Sequence, residues 1–186
     1  MLTVYLLTMA TNVIPLLVIS GPVGVGKTTI GNEVSSVLER RGIAHTFIDM
    51  DALAQTYPRL PEDRFGEQLA LRNLRDVWAN CAAMGSKNLI VARVVETKQD
   101  VENIQFAAPG SRPLVCQLHA TRESLIERVR KRELGAGRDR HETRALELAQ
   151  SLRDKAPADF VVETDGQSIL DIAKEIVAKV AWVTKR

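Results

Sequence analysis

Eight consecutive residues, Gly21 to Thr28, read G-P-V-G-V-G-K-T and satisfy the spacing G-x-x-x-x-G-K-[ST] in full. Glycines at these positions let the backbone curl so that successive N–H groups point inward at phosphate oxygens. A helix starting directly after them adds its unpaired amides and the positive end of its dipole. A lysine at position 27 reaches the β- and γ-phosphates, and a hydroxyl at position 28 sits on Mg²⁺. Such a loop works only between a strand and a helix. Here the apolar run 14–20 precedes it and a helical pattern from Thr28 to Arg41 follows. Gly21, Pro22, Val23, Gly24, Val25, Gly26, Lys27, Thr28 and Thr29 are therefore the expected nucleotide-binding residues, with Lys27 also catalytic. The chain is expected to bind a nucleoside triphosphate with Mg²⁺.

A second group of chemically capable residues is the D-x-D of Asp49 and Asp51, at the end of the run Phe47-Ile48-Asp49. On an extended segment, side chains at i and i+2 point the same way, so both carboxylates can face one cleft. Asp49 is assigned to the metal and Asp51 to accepting a proton from an attacking hydroxyl. The alternative is that one of the pair only caps a short helix over 52–55.

The third group is cationic. Arg122, Arg128, Arg130, Lys131, Arg132, Arg138, Arg140 and Arg144 gather within 121–144, against five acidic residues. Arg128 and Arg132 stand at i and i+4 on one helix face. Gly135-Ala136-Gly137 then breaks the pattern. Positive charge on a flap suits phosphoryl transfer, in which negative charge spreads over the migrating group. Some of these residues belong instead to a solvated face paired with Glu127 and Glu133. Arg128 and Arg132 are the expected catalytic pair, with Arg138 a substrate contact.

The elements that must position these groups alternate. Strands are expected at 14–20, 44–49, 88–95, 112–118 and 159–163, nearly continuous in apolar and β-branched residues as buried parallel strands are. Helices are expected at 27–41, 63–85, 97–105, 121–134, 141–154 and 167–182. This order predicts an α/β fold with a doubly wound parallel sheet, ligands gathering at the C-terminal ends of the strands. At 186 residues, 45% hydrophobic, the chain fits one domain. A net charge of +2 gives no reason to expect nucleic acid. Cys81 and Cys116 lack metal-like spacing and read as buried thiols of a cytoplasmic protein. The stretch 1–13 is apolar but too short to span a membrane and lacks a basic leader, so it reads as an extension, with Met9 an alternative start.

Taken together, G-P-V-G-V-G-K-T, the D-x-D and L-I-E-R-V-R-K-R-E-L-G resemble the nucleoside monophosphate kinase-like P-loop kinases. The resemblance is strongest to the shikimate, gluconate and adenylylsulfate kinases and chloramphenicol phosphotransferase. It covers Ile14 to Trp182 and implies a single domain, 14–186, with a three-layer P-loop fold and a five-stranded parallel sheet in the order 2-3-1-4-5. It also implies an acceptor-binding helical region at about 52–85 and a lid at about 132–144. By the same resemblance Arg128 lies over the adenine and Arg132 touches the transferring phosphate. Thr164, Asp165 and Gly166 line the adenine, Asp49 is tied to Mg²⁺ and Asp51 to the substrate hydroxyl. The chain departs from the group in lacking an aspartate at the end of the third strand, where Arg93 and then Glu96 stand. Arg93 is either a substrate-anion ligand or a structural partner of Glu96. Arg59, in the loop Tyr57-Pro58-Arg59-Leu60-Pro61, is a further substrate-contact candidate. No guanine-reading N-K-x-D occurs, which favours ATP.

The expected activity is transfer of the γ-phosphate of ATP to a hydroxyl or phosphate of a small-molecule acceptor. No nucleic-acid or membrane partner is expected, and the chain is expected to be a monomer or homodimer. The alternative is a nucleotide-binding NTPase or regulatory module without a small acceptor.

Overall fold

The first strand, β1 (Ile14–Ser20), sits at the centre of the sheet and dictates the rest of the architecture. Its side chains alternate between two faces, and both are covered. Leu17 and Ile19 belong to one core cluster with Val34, Leu38, Leu118 and Ile176. Leu16 and Val18 belong to the other, with Leu74, Trp78, Leu89 and Ile104. A strand buried on both faces must be apolar throughout, which is why the run 14–20 shows no alternation. Leu17 is fully buried, and truncation to alanine would cost about 2–5 kcal/mol.

The computed structural model describes residues 13–132, 138–180 and Trp182, with backbone alone at 132, 138–142, 144, 145, 154 and 155. β1 leads through the phosphate loop into α1 (Lys27–Arg40), followed by β2 (Thr46–Asp49) and the one-turn helix α2 (Met50–Leu53). A 3₁₀ turn (Pro61–Asp63) precedes α3 (Glu67–Ala83), β3 (Leu89–Ala92) and α4 (Lys98–Ala107). Then come β4 (Ser111–His119), α5 (Arg122–Arg132), α6 (Arg138–Lys155), β5 (Phe160–Glu163) and α7 (Ile169–Val180). All strand pairs are parallel, in the order β2-β3-β1-β4-β5 as expected. Among the described residues no helix is long and apolar enough to cross a membrane. The 1–12 part of the expected extension and the 133–137 part of the expected lid lie outside the described residues.

Several boundaries differ from the sequence reading. The third strand stops at Ala92, because the chain then turns across the sheet end and Val95 donates its N–H to the buried Ser20 hydroxyl at 3.0 Å. The helix expected from 63 starts at Glu67. Asp63 instead accepts the N–H groups of Gln68 and Leu69, at 3.2 and 3.1 Å, and caps α3 from outside. The short helix expected at 52–55 is α2, two residues earlier in its start. Its cap is Asp49, whose carboxylate accepts the Asp51 N–H at 2.9 Å. Asp51 is thus in the first turn of a helix rather than on an extended strand, and the i, i+2 geometry expected for the D-x-D does not hold.

Candidate active site

The phosphate loop owes its shape to glycines where other residues would not fit. Gly24 has φ +83°, and a Cβ built on it would meet Val129 Cγ2 of α5 at 2.7 Å. Gly21 lies so close to β4 that a Cβ would meet the Leu118 carbonyl at 2.7 Å. α1 begins without a side-chain cap and without an acid in its first turn, so no carboxylate competes for its amides. That leaves an anion cradle at the end of the central strand. Lys27 folds back over the loop, its Nζ donating to the carbonyls of Gly21 and Pro22 at 3.0 and 3.2 Å.

Beside the loop, four side chains form a chain of contacts. The Thr28 hydroxyl donates to Asp49 Oδ2 at 2.6 Å, while Asp49 Oδ1 holds the start of α2. Arg93, at the end of β3, donates from Nη1 to Asp51 Oδ1 at 2.6 Å. Arg93, expected as either a substrate-anion ligand or a partner of Glu96, thus has Asp51 as a partner. Thr28 and Asp49 bring two hard oxygens to one point, the donor set of a Mg²⁺ that takes the rest of its shell from phosphate and water. Among the described residues no cluster of three or more His, Cys, Asp or Glu could hold a metal by itself.

A cavity of about 400 Å³ runs from this point along the loop. Its walls include Val23 to Ile30, Asp51 and Val94, then Arg128, Thr164, Gln167, Ile169 and Ile172. Arg128 of α5 crosses to the loop after β5. It donates to Thr164 Oγ1 at 2.8 Å, to Asp165 Oδ1 at 3.1 Å and to the Val25 carbonyl at 3.2 Å. Asp165 also accepts the Thr121 N–H at 2.6 Å. Burial alone would push the Asp165 carboxyl up. The bonds from the Thr121 N–H, Ser124 and the Thr121 hydroxyl, with the Arg128 charge, outweigh that and hold it below the ordinary carboxylate range.

The expected nucleotide residues Val23 to Thr29, Arg128 and Thr164 therefore meet at one cavity, and Asp51 stands at its edge. Asp165 and Gly166 do not line it, though Asp165 braces that wall through Arg128. Arg59 does not line the cavity; it donates to the Arg64 carbonyl within its own loop at 3.2 Å. The side chains of Arg132 and Arg138 lie outside the described residues. Sequence reasoning missed Val94, Gln167, Ile169 and Ile172. An apolar residue two or three places past an expected adenine loop, as Ile169 is, was the available signal. Burial raises the Cys116 thiol far above its usual value, and Cys116 carries no chemistry here.

A family model described as shikimate kinase matches residues 23–181. The fold is similar to a gluconokinase from Sinorhizobium meliloti 1021, at 21% identity and TM-score 0.59, covering 91% of this chain and 93% of that one. It is also similar to the tunicamycin resistance protein of Deinococcus radiodurans, at 19% identity and TM-score 0.64, covering 90% and 96%. A shikimate kinase from Acinetobacter baumannii in complex with shikimate matches at 20% identity and TM-score 0.57, covering 92% and 95%. No curated protein matches the chain.

Proposed function

The chain belongs to the shikimate kinase family and is a phosphotransferase that uses a nucleotide, and from that premise we propose that it moves the γ-phosphate of ATP to a hydroxyl of a small metabolite. The observation that carries this reading is the contact series Thr28–Asp49–α2–Asp51–Arg93, which brings a metal-type oxygen pair and a second carboxylate to one end of the nucleotide cavity.

In this proposal the loop amides and Lys27 hold the β- and γ-phosphates, Lys27 having left its resting carbonyls. Thr28 and Asp49 would hold Mg²⁺, which when bound offsets charge on the phosphate oxygens. Asp51 orients the acceptor hydroxyl and takes its proton as the oxygen attacks phosphorus. The bond from phosphorus to the bridging oxygen then breaks and leaves ADP. Arg93 faces the same point and offers its remaining N–H groups to an anionic substituent of the acceptor. Arg128 backs the base, and Arg132 and Arg138 would contribute charge at the lid. Arg59 belongs to the acceptor side, through the loop after α2. The acceptor region is 52–85, within a single domain from 14 to 186 that acts as a monomer or homodimer in the cytoplasm, without nucleic-acid or membrane partners.

The test is ADP release with ATP and Mg²⁺ across nucleoside monophosphates, sugars, hydroxy acids and hydroxyl-bearing antibiotics, with folded Lys27→Ala as the blank. Release that rises with one acceptor and vanishes in the blank supports the kinase. Acceptor-independent release that persists across a wide panel would favour an NTPase or regulatory module instead.

A further inference from the structure

Beyond the phosphate loop, α1 and the acceptor edge, the cavity wall consists of Arg128, Thr164, Gln167, Ile169 and Ile172. Ile169 and Ile172 supply apolar surface. Arg128 spends its edge on Val25, Thr164 and Asp165, so its flat face is what it can offer a ligand. Apolar surface and a guanidinium plane suit a planar base.

Polar recognition is narrower. The Thr164 hydroxyl is consumed, donating to the His119 carbonyl at 2.9 Å while accepting from Arg128. Gln167 differs. Its Nε2 donates to the Glu163 carbonyl at 2.8 Å. A carbonyl can only accept, so this bond fixes which way round the amide lies. The amide oxygen then has no hydrogen-bond partner among the described residues, on a side chain that lines the cavity.

Resting on the reading of this cavity as a nucleotide site, we propose that Gln167 reads the 6-amino group of the purine and sets a preference for adenine over guanine. The 6-amino group of adenine is a donor and meets the amide oxygen as an acceptor. Guanine carries an oxygen at that position, which sets acceptor against acceptor and leaves both unpaired. The amide cannot rotate to accommodate guanine without giving up its bond to Glu163.

The experiment is calorimetric titration of the full chain, with Mg²⁺, against ATP, GTP and purine riboside 5′-triphosphate, which is ATP without its 6-amino group. In the wild type ATP should bind about five- to tenfold more tightly than the purine analogue, the usual worth of one neutral hydrogen bond. GTP should bind more weakly than the analogue. Gln167→Met, similar in size but without an acceptor, should bring the ratio of ATP to analogue close to one by weakening ATP alone. Gln167→Ala should do the same. Equal affinities for ATP and the analogue in the wild type, which needs no variant to fold, would overturn the inference while leaving the nucleotide site intact. A ratio that survives in both variants would also overturn it. Failure of all three triphosphates to bind would remove the nucleotide reading itself.

Discussion

Arg93 Nη1 lies 2.6 Å from Asp51 Oδ1 and ties the end of β3 to the first turn of α2 across 42 positions of sequence. The two partners are unequally placed. The arginine side chain is 16% exposed and the aspartate 62%. The cation is thus held within the fold while the carboxylate stands open at the cavity edge. With one partner this exposed, solvent screening limits the pair to a small part of the stability. Its significance is the direction in which it holds Asp51.

Arg93→Met should therefore change catalysis more than folding. The unfolding midpoint should move by no more than about 2–4 °C, the shift of a 1 kcal/mol loss in a chain of this size. The KM for the acceptor should rise with ATP affinity unchanged. In a double-mutant cycle with Asp51→Asn, turnover should be non-additive by about 0.5–3 kcal/mol. Additive effects would mean that the pair does not act as a unit.

Asp51→Asn should lower turnover by about 10²–10⁴-fold if Asp51 takes the acceptor's proton. Binding of ATP, measured by calorimetry, should change little. An equal loss of ATP affinity would reassign Asp51 to the metal.

Asp49→Asn separates charge from cap. Asparagine caps a helix as well as aspartate does, so α2 and the unfolding midpoint should be kept. The Mg²⁺ concentration for half-maximal activity should rise about tenfold or more. Thr28→Val should act in the same direction. An unchanged Mg²⁺ titration in both variants would remove this pair from the metal site.

Asp165 predicts an acid-sensitive contact. Its folded-state carboxyl is held below the ordinary range, so its contribution to stability is present above the unfolded-state pKa. That contribution is lost as pH falls through the folded-state value. As pH falls below about 5 the wild type should lose unfolding free energy more steeply than Asp165→Asn, the two curves converging at the acid end. Parallel curves would mean that the carboxylate is not stabilised by its partners.

Gly24→Ala should destabilise the loop by about 1–3 kcal/mol, from the left-handed backbone and the encounter with Val129 Cγ2. Adding Val129→Ala removes the opposing methyl and should restore part of the ATP affinity lost by the single variant. No restoration would place the whole cost in the backbone.

What could be read before the structure was whatever depends on near neighbours. Five apolar runs separated by helical patterns lead to a parallel α/β sheet, while its order 2-3-1-4-5 was implied by the family resemblance and is the order observed. The phosphate loop is contiguous and was complete on reading. Asp51 was harder, since two residues past a strand can be extended or helical. The choice is made by the Asp49 side chain bonding back to the Asp51 N–H. Arg128 was located on its helix face, yet its partners Val25, Thr164 and Asp165 lie 103, 36 and 37 positions away. Gln167 carries no local motif. It becomes visible only when the loop after β5 folds back beside the first turn of α1.

The position of β1 has a consequence for how the chain is made. Its neighbours are β3 and β4, and Ile14 pairs with Ser111, roughly a hundred residues further on. At a synthesis rate of about 5–20 residues per second, about 5–20 s pass between production of this strand and production of its later partner. For that time a seven-residue, almost wholly apolar segment has at least one backbone edge unmatched, and both until β3 is made. The strand that carries the nucleotide loop is thus also a segment of the nascent polypeptide that a chaperone would have to shield.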